Sequence, residues 1–150
     1  MMLTQRKSSQ TMSKILIVDD QDVFREAVVR ALRQEGITEF LEPVEAENGL
    51  AALELTRAHD DIRFAVVDVH MPIMNGVEFL TKFREELRER YDACKVFIIT
   101  TESSRALRAQ MKQPGVLAWL VKPVNPKLFI RTLQSRFSDD LERAKREVEV

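Results

Sequence analysis

Several residue types are scarce in this chain of 150 residues, and each scarcity narrows what the protein can be. Cys94 is the only cysteine, so an intramolecular disulfide cannot form. The only histidines are His59 and His70, and with one thiol beside them a structural zinc site is not expected. No apolar run approaches the roughly 20 residues of a membrane span, and residues 1–13 lack the apolar core of a signal peptide. We therefore expect a cytoplasmic protein without membrane contact.

The chain also has no marked excess of positive or negative charge, because its formal net charge is only -1. Direct binding to nucleic acid is therefore not expected from bulk electrostatics. A hydrophobic fraction of 45% and a charged fraction of 31% fit a globular protein, and the length suits one domain. We expect residues 1–13 to be a flexible N-terminal tail, 14–137 to form the domain, and 138–150 to be a charged helical extension or a linker.

Short apolar runs alternate along the chain with segments of helical period. The predicted strands are 14–18, 43–46, 64–67, 95–100 and 117–121. Most of them are continuously apolar, which is typical of parallel strands covered on both faces. The predicted helices are 22–35, 49–58, 76–89, 103–113 and 125–137. This alternation predicts an α/β doubly wound fold, a five-stranded parallel sheet with helices on both faces, whose ligands bind beyond the carboxyl ends of the strands.

Polar side chains stand at four of these strand ends. Asp19 and Asp20 follow the first strand, Asp68 ends the third, Thr100 ends the fourth, and Lys122 follows the fifth. In a parallel sheet these groups meet at one edge. Two carboxylates about 4 Å apart repel by roughly 4 kcal/mol at an effective dielectric constant of 20, so the cluster needs a cation. Hard oxygen ligands with room for water and phosphate favour Mg²⁺.

Four motifs at these positions carry a resemblance to a known family. The motifs are "ILIVDD", "VVDVHMPIMNG", "FIITTES" and "WLVKP". In this order and at these separations, they resemble the receiver domain of two-component response regulators, over about residues 14–137. The resemblance implies a flavodoxin-like sheet of order 2-1-3-4-5 and a role in phosphorelay signalling.

The resemblance also implies roles for individual residues. Asp68 matches the phosphoacceptor, a carboxylate nucleophile that becomes an aspartyl phosphate. Asp19, Asp20 and Asp68 match the acidic groups that hold Mg²⁺, together with the backbone carbonyl of His70. Lys122 matches the lysine that pairs with the phosphoryl group. Such a site neutralises developing charge, which is what phosphoryl transfer mainly requires.

Two further residues match the switch of the family. Thr100 corresponds to the hydroxyl that moves to hydrogen-bond the phosphoryl group, although a threonine here also suits a simple helix cap. Trp119, three residues before Lys122, stands where the family has a switching aromatic residue, although an aromatic in a terminal strand also suits the core. The resemblance implies a cis Lys122–Pro123 bond, whereas trans is the general default.

The expected partners follow from the same resemblance. A histidine kinase or a phosphotransfer protein would donate the phosphoryl group, and a downstream protein target or an output domain would read the result. We expect a signalling module and not an enzyme. Its own reactions would be Mg²⁺-dependent self-phosphorylation and slow autodephosphorylation. A homodimer through the predicted helix 103–113, the fifth strand and the helix 125–137 is a further expectation. The stretch "QPGVLA" departs from the usual family turn, and Pro114 should end helix 103–113 early.

Three other interpretations compete with a stand-alone receiver. The chain could be the N-terminal receiver of a larger regulator with a DNA-binding or enzymatic output domain. An Mg²⁺-dependent aspartyl phosphohydrolase of the haloacid-dehalogenase type would need a second aspartate two residues after Asp68, where this chain has His70. A dinucleotide-binding module fails because "DDQDVF" after the first strand contains no glycine-rich turn.

Overall fold

The computed structural model describes residues 12–101, 109 and 115–149. Five strands form one sheet in the order β2-β1-β3-β4-β5, and every neighbouring pair is parallel. The strands are β1 Ser13–Val18, β2 Leu41–Ala46, β3 Ile62–Asp68, β4 Lys95–Thr100 and β5 Val116–Val121. The predicted fold class and strand order are confirmed.

Both faces of the sheet are buried, which explains the continuous apolar runs in the sequence. All six residues of β1 are buried. Ile15 and Ile17 contact one side of the core, while Leu16 and Val18 contact the other. Successive side chains of a strand point to opposite faces, so a strand covered on both sides needs apolar residues at every position.

Helices cover each face of the sheet. They are α1 Asp22–Gln34, α2 Gly49–Ala58, α3 Gly76–Glu86, α4 Arg88–Asp92, α5 Pro126–Arg136 and α6 Ser138–Glu149. The helices α1, α5 and α6 pack on the face of Ile15 and Ile17, and α2, α3 and α4 pack on the face of Leu16 and Val18. Within the described ranges, no helix has the length and apolar character to span a bilayer.

Asparagine caps fix where three helices begin after strand-end loops. The side chain of Asn48 accepts a hydrogen bond from the backbone of Ala51 at the start of α2. Asn75 and Glu78 form a reciprocal capping box at the start of α3. Asn125 caps α5, and proline occupies its first turn, as the sequence predicts. These caps place the helix starts close to the carboxyl edge of the sheet.

One helix and the starts of two strands differ from the sequence prediction. The predicted helix 76–89 is divided at Leu87, whose φ of -133° and ψ of 57° lie outside the helical region, so that α4 starts anew at Arg88. Strands β2 and β3 each start two residues earlier than predicted because Leu41 and Ile62 are already buried and paired with β1. The predicted helix 103–113, its cap at 103 or 104, and Pro114 lie outside the described residues.

The segment 138–150, predicted as a charged helical extension or a linker, contains the helix α6, and this helix packs against the domain. Leu141 and Ala144 are buried, and Leu141 belongs to the core beside α1 and α5. Phe137, between α5 and α6, stacks edge-on against Phe64 of β3 and Phe97 of β4. The charged sequence of α6 therefore hides a narrow apolar face.

The packing of α6 can be tested by truncating its buried leucine. Leu141 is 7% exposed, and Leu141→Ala should lower the free energy of unfolding by about 2 kcal/mol, because a buried leucine leaves a cavity. Leu128→Ala in α5 is the matched control: Leu128 is 47% exposed, and its truncation should cost less than about 1 kcal/mol. Urea denaturation measures both. Equal small losses would mean that α6 does not pack on the domain.

Candidate functional site at the carboxyl edge

Three aspartates meet at the carboxyl edge of the sheet. Asp19 and Asp20 follow β1, and Asp68 ends β3, the strand that pairs with β1. Each carboxylate offers an oxygen that lies within 4.8 Å of the others. Asp19 and Asp68 are buried, whereas Asp20 is exposed. We call these three residues the acidic cluster.

Lys122, directly after β5, brings a positive charge to the acidic cluster. Its Nζ lies 2.6 Å from Oδ2 of Asp19 and 3.6 Å from Oδ2 of Asp68. The lysine side chain is only 11% exposed, and its ammonium group lies 4.6 Å from the ring centroid of Phe24. The ammonium group therefore bridges two of the three carboxylates in a largely desolvated position.

The turn after β1 holds Asp19 through both its backbone and its carboxylate. Oδ1 of Asp19 accepts a hydrogen bond from the backbone N–H of Gln21 at 2.8 Å, and Oδ2 accepts one from Lys122. The backbone N–H of Asp19 donates to the carbonyl of Ala46 at 3.1 Å. Asp19 is fixed in this way, while the carboxylate of Asp20 faces solvent.

Thr100 lies at the end of β4, next to the acidic cluster. It is fully buried, and it pairs in register with Val121 of β5. Its backbone carbonyl accepts a hydrogen bond from the backbone N–H of Lys122 at 2.6 Å. The threonine and the lysine of the predicted site are thus joined through the main chain. The peptide bond between Lys122 and Pro123 is cis, as the resemblance implies.

The two remaining predicted residues lie near this edge but are less closely tied to the carboxylates. His70 is exposed in the loop after Asp68. Trp119 is partly buried, lies opposite Ile98 in the sheet, and packs against the core on the α2 and α3 side. The structure therefore brings together five of the predicted residues: Asp19, Asp20, Asp68, Thr100 and Lys122. Trp119 lies in β5, the strand that directly precedes Lys122.

The loop after Asp68 is held by two glycines that approach backbone closely. The N–H of Gly76 donates to the carbonyl of Val69 at 2.9 Å, and a Cβ at this glycine would lie 2.4 Å from the carbonyl oxygen of Asp68. The N–H of Gly49 donates to the carbonyl of Met74 at 2.8 Å, and a Cβ at Gly49 would lie 2.5 Å from this Met74 oxygen. Neither position leaves space for a side chain.

Burial dominates the protonation of Asp68. It raises the pKa of the Asp68 carboxyl above the ordinary value of 3.8, Lys122 opposes this rise, and the negative charges of Asp19 and Asp20 add to it. The carboxylate is therefore in a setting that disfavours its own charge. A cation close to the acidic cluster would relieve both the burial cost and the repulsion.

The donor set of the acidic cluster fits Mg²⁺. Carboxylate oxygens from three residues converge, and Asp20 keeps one side open to water. Mg²⁺ prefers hard oxygen ligands and retains part of its hydration shell, so one or two protein carboxylates with an open face suit it. Nitrogen and sulfur ligands, which zinc prefers, do not belong to the cluster.

Two residues near the site were not singled out from the sequence. Phe24 contacts Lys122, and Arg25 contacts the backbone carbonyl of Asp19 and two carboxylates. The spacing of Asp22 and Arg25 along a predicted helix indicates an ion pair. It does not indicate that the guanidinium group reaches back to the turn after β1.

Comparison with known proteins gives the decisive match. The family model described as the response regulator receiver domain matches residues 15–134. This chain belongs to the response regulator receiver domain family. The match runs from Ile15 in β1 through β5 and includes the whole acidic cluster. The signalling role expected from the motifs is therefore confirmed, and it replaces the hydrolase and dinucleotide-binding alternatives.

Relatives of this receiver domain include chemotaxis proteins and one longer protein. A chemotaxis protein CheY homolog of Campylobacter jejuni is 31% identical over 121 residues, which is 81% of this chain and 89% of that protein. A cyclic di-GMP phosphodiesterase of Thermotoga maritima is 32% identical over 114 residues, which is 76% of this chain but 28% of that protein. The matching region therefore makes up most of the first relative and about a quarter of the second.

Solved structures share the same fold. CheY4 of Vibrio cholerae superposes with a TM-score of 0.71 at 33% sequence identity, covering 83% of this chain and 98% of that one. The response regulator TrrA of Thermotoga maritima, solved in complex with Mg²⁺ and beryllofluoride, superposes with a TM-score of 0.66 at 26% identity, covering 83% of this chain and 98% of that one.

The unfavourable setting of Asp68 predicts that its removal stabilises the metal-free receiver. At neutral pH and without divalent cations, Asp68→Asn should raise the free energy of unfolding, because a buried charge beside two like charges disappears. As the pH falls through the raised pKa, the wild-type carboxyl takes up a proton in the folded state, and the advantage of the variant should vanish.

Denaturant titrations of both proteins across pH measure this difference. Asp60→Asn, which changes an exposed aspartate before β3, is the control and should leave stability unchanged. A destabilised Asp68→Asn protein at neutral pH would show that Lys122 outweighs the burial and repulsion at Asp68.

Proposed function

We propose that this receiver domain accepts a phosphoryl group on Asp68 and thereby switches the binding of a partner in two-component signalling. The observation that carries the proposal is the position of Asp68, buried at the end of β3, among two further carboxylates and 3.6 Å from the ammonium group of Lys122. A nucleophilic carboxylate that is both desolvated and close to positive charge suits an attack on phosphorus.

The transfer step forms one bond and breaks one bond. An oxygen of the Asp68 carboxylate attacks the phosphorus of a phosphohistidine, the phosphorus–nitrogen bond breaks, and the imidazole nitrogen keeps the electron pair and takes up a proton. Lys122 stabilises the negative charge on the phosphoryl oxygens. Asp19, Asp20 and Asp68, with the backbone carbonyl of His70, would hold Mg²⁺, which when bound supplies positive charge to the carboxylates and phosphoryl oxygens.

We propose that the same site also supports self-phosphorylation from small phosphodonors and a slow loss of the phosphoryl group. In the hydrolysis step water attacks phosphorus, the bond between phosphorus and the Asp68 oxygen breaks, and the carboxylate is restored as inorganic phosphate and a proton are released. His70 is exposed two residues after Asp68, and we propose that its side chain influences how water reaches the phosphoryl group. These activities make the domain a signalling module that acts on itself.

The proposed switch consists of Thr100 and Trp119. Phosphorylation adds about 1.5 to 2 negative charges, by analogy with other phosphorylated side chains. Each charge-assisted hydrogen bond to the new group contributes roughly 1.5–3 kcal/mol, and inverting a 1:99 equilibrium takes about 5.5 kcal/mol. Bonds from Lys122 and from the hydroxyl of Thr100 together contribute about 3–6 kcal/mol, and the upper end of this range reaches the required value. Movement of Thr100 would change the packing of β5, where Trp119 lies.

We propose a histidine kinase or phosphotransfer protein as the donor, and a protein target or an output domain as the reader, in the cytoplasm. Exposed apolar side chains lie near the strand ends, among them Val23 at the start of α1 and Leu128 in α5, and they offer a surface to a partner. The relative from Thermotoga maritima, much longer than its receiver match, supports the version in which a receiver regulates an attached domain. Homodimerisation through β5 and α5 remains part of the proposal.

Phosphodonor labelling tests the acceptor directly. With acetyl phosphate and Mg²⁺, the wild-type protein should gain one phosphoryl group, seen by intact mass, and Asp68→Asn should gain none because an amide is not a nucleophile toward phosphorus. Asp60→Asn should label like the wild-type protein. Stoichiometric labelling of a folded Asp68→Asn protein at another residue would reject Asp68 as the acceptor.

Fluorescence tests the switch, because Trp119 is the only tryptophan. Beryllofluoride with Mg²⁺ should change the emission of Trp119 as the indole environment changes. Thr100→Ala should still bind the mimic but should show a much smaller change, since the connecting hydroxyl is gone. An unchanged emission in wild-type protein that demonstrably binds beryllofluoride would contradict a switch through Trp119.

A further inference from the structure

We propose that Arg25 is a positioning residue that holds the turn after β1 so that Asp19 and Asp20 can bind a divalent cation. This inference rests on the proposed Mg²⁺-dependent function and names a residue outside the acidic cluster on which that site depends. Arg25 lies in the first turn of α1, and its side chain is only 12% exposed.

The contacts of Arg25 join three parts of the chain. One terminal nitrogen of the guanidinium group donates to the backbone carbonyl of Asp19 at 2.5 Å, and Nε donates to Oε1 of Glu45 in β2 at 3.1 Å. The other terminal nitrogen pairs with the carboxylate of Asp22 in α1. Only a planar guanidinium group with several fixed donors reaches such a set of acceptors together.

The contact with Asp19 is the one that matters for the cluster. The backbone of Asp19 leads directly into Asp20, so a donor on the Asp19 carbonyl fixes the peptide that connects the two carboxylates. The N–H of Asp19 is already bound to Ala46 of β2, and Glu45 precedes Ala46. Arg25 therefore connects the Asp19 carbonyl to the end of β2, next to the residue that already binds the Asp19 N–H. Residues that do not touch a metal but hydrogen-bond its ligands can orient those ligands in this way.

Charge and geometry make opposite predictions about Arg25. A positive charge close to the acidic cluster repels Mg²⁺, so a purely electrostatic role implies tighter cation binding when Arg25 is removed. A positioning role implies weaker binding, because the turn then samples arrangements in which the carboxylates do not converge. The direction of the change therefore distinguishes the two roles.

The experiment measures Mg²⁺ affinity by calorimetry for the wild-type protein, Arg25→Lys and Arg25→Ala. Lysine keeps the charge but loses the planar fork. Both variants should bind Mg²⁺ about tenfold more weakly, the low end of the range for outer groups that orient metal ligands. Arg57→Ala is the matched control: it also removes one positive charge, but Arg57 pairs with Glu86 between α2 and α3, and Mg²⁺ affinity should stay unchanged.

Urea denaturation without Mg²⁺ separates positioning from folding. Arg25→Lys should retain most of its stability while losing Mg²⁺ affinity, and it decides the matter if Arg25→Ala fails to fold. Wild-type affinity in Arg25→Lys, tighter binding in Arg25→Ala, or unfolding of both variants would overturn the positioning role and leave the proposed function intact. A wild-type protein that binds no Mg²⁺ would instead overturn the proposed function and this inference together.

Discussion

Repulsion among three carboxylates at one edge of the sheet is the constraint on which the rest of this structure depends. Asp19, Asp20 and Asp68 converge within 4.8 Å, and at that separation like charges oppose folding unless cations lie among them. Lys122 supplies one such charge from the residue after β5, more than fifty residues beyond Asp68 along the chain. The fold has to hold these groups together against their repulsion, and the buried apolar sheet on which they sit provides the required stability.

The uneven pairing of Lys122 shows how that balance could change during signalling. Its ammonium group lies 2.6 Å from Asp19 but 3.6 Å from Asp68. The lysine therefore pairs mainly with Asp19. A phosphoryl group on Asp68, as proposed, would add negative charge there and draw the lysine toward Asp68. Because the backbone N–H of Lys122 is bonded to Thr100, this movement acts where β4 and β5 end.

The fold and most of the candidate site could be predicted because the parallel topology determines which residues come together. Once continuous apolar runs are assigned to parallel strands, their carboxyl ends meet at one edge, and Asp68, Thr100 and Lys122 follow from their positions alone. Arg25 could not be found in this way, since its role depends on the rotation of α1 and on a partner in β2. The packing of α6 was hidden for a related reason: Leu141 and Ala144 are two apolar residues in a charged segment, and only the tertiary structure shows that they face the core.

Gly49 and Gly76 position the main chain of the loop after Asp68 through close backbone contacts. The predicted metal ligand from His70 is a backbone carbonyl, so its position depends on the path of the loop after Asp68 and not on any side chain. Gly76 fixes the end of that loop against β3, and Gly49 holds it from α2. A carbonyl ligand can be placed reliably only when the loop has few alternative paths, and two glycine contacts without space for a Cβ restrict those paths. The glycines therefore serve the site through the backbone, as Arg25 does for the turn after β1.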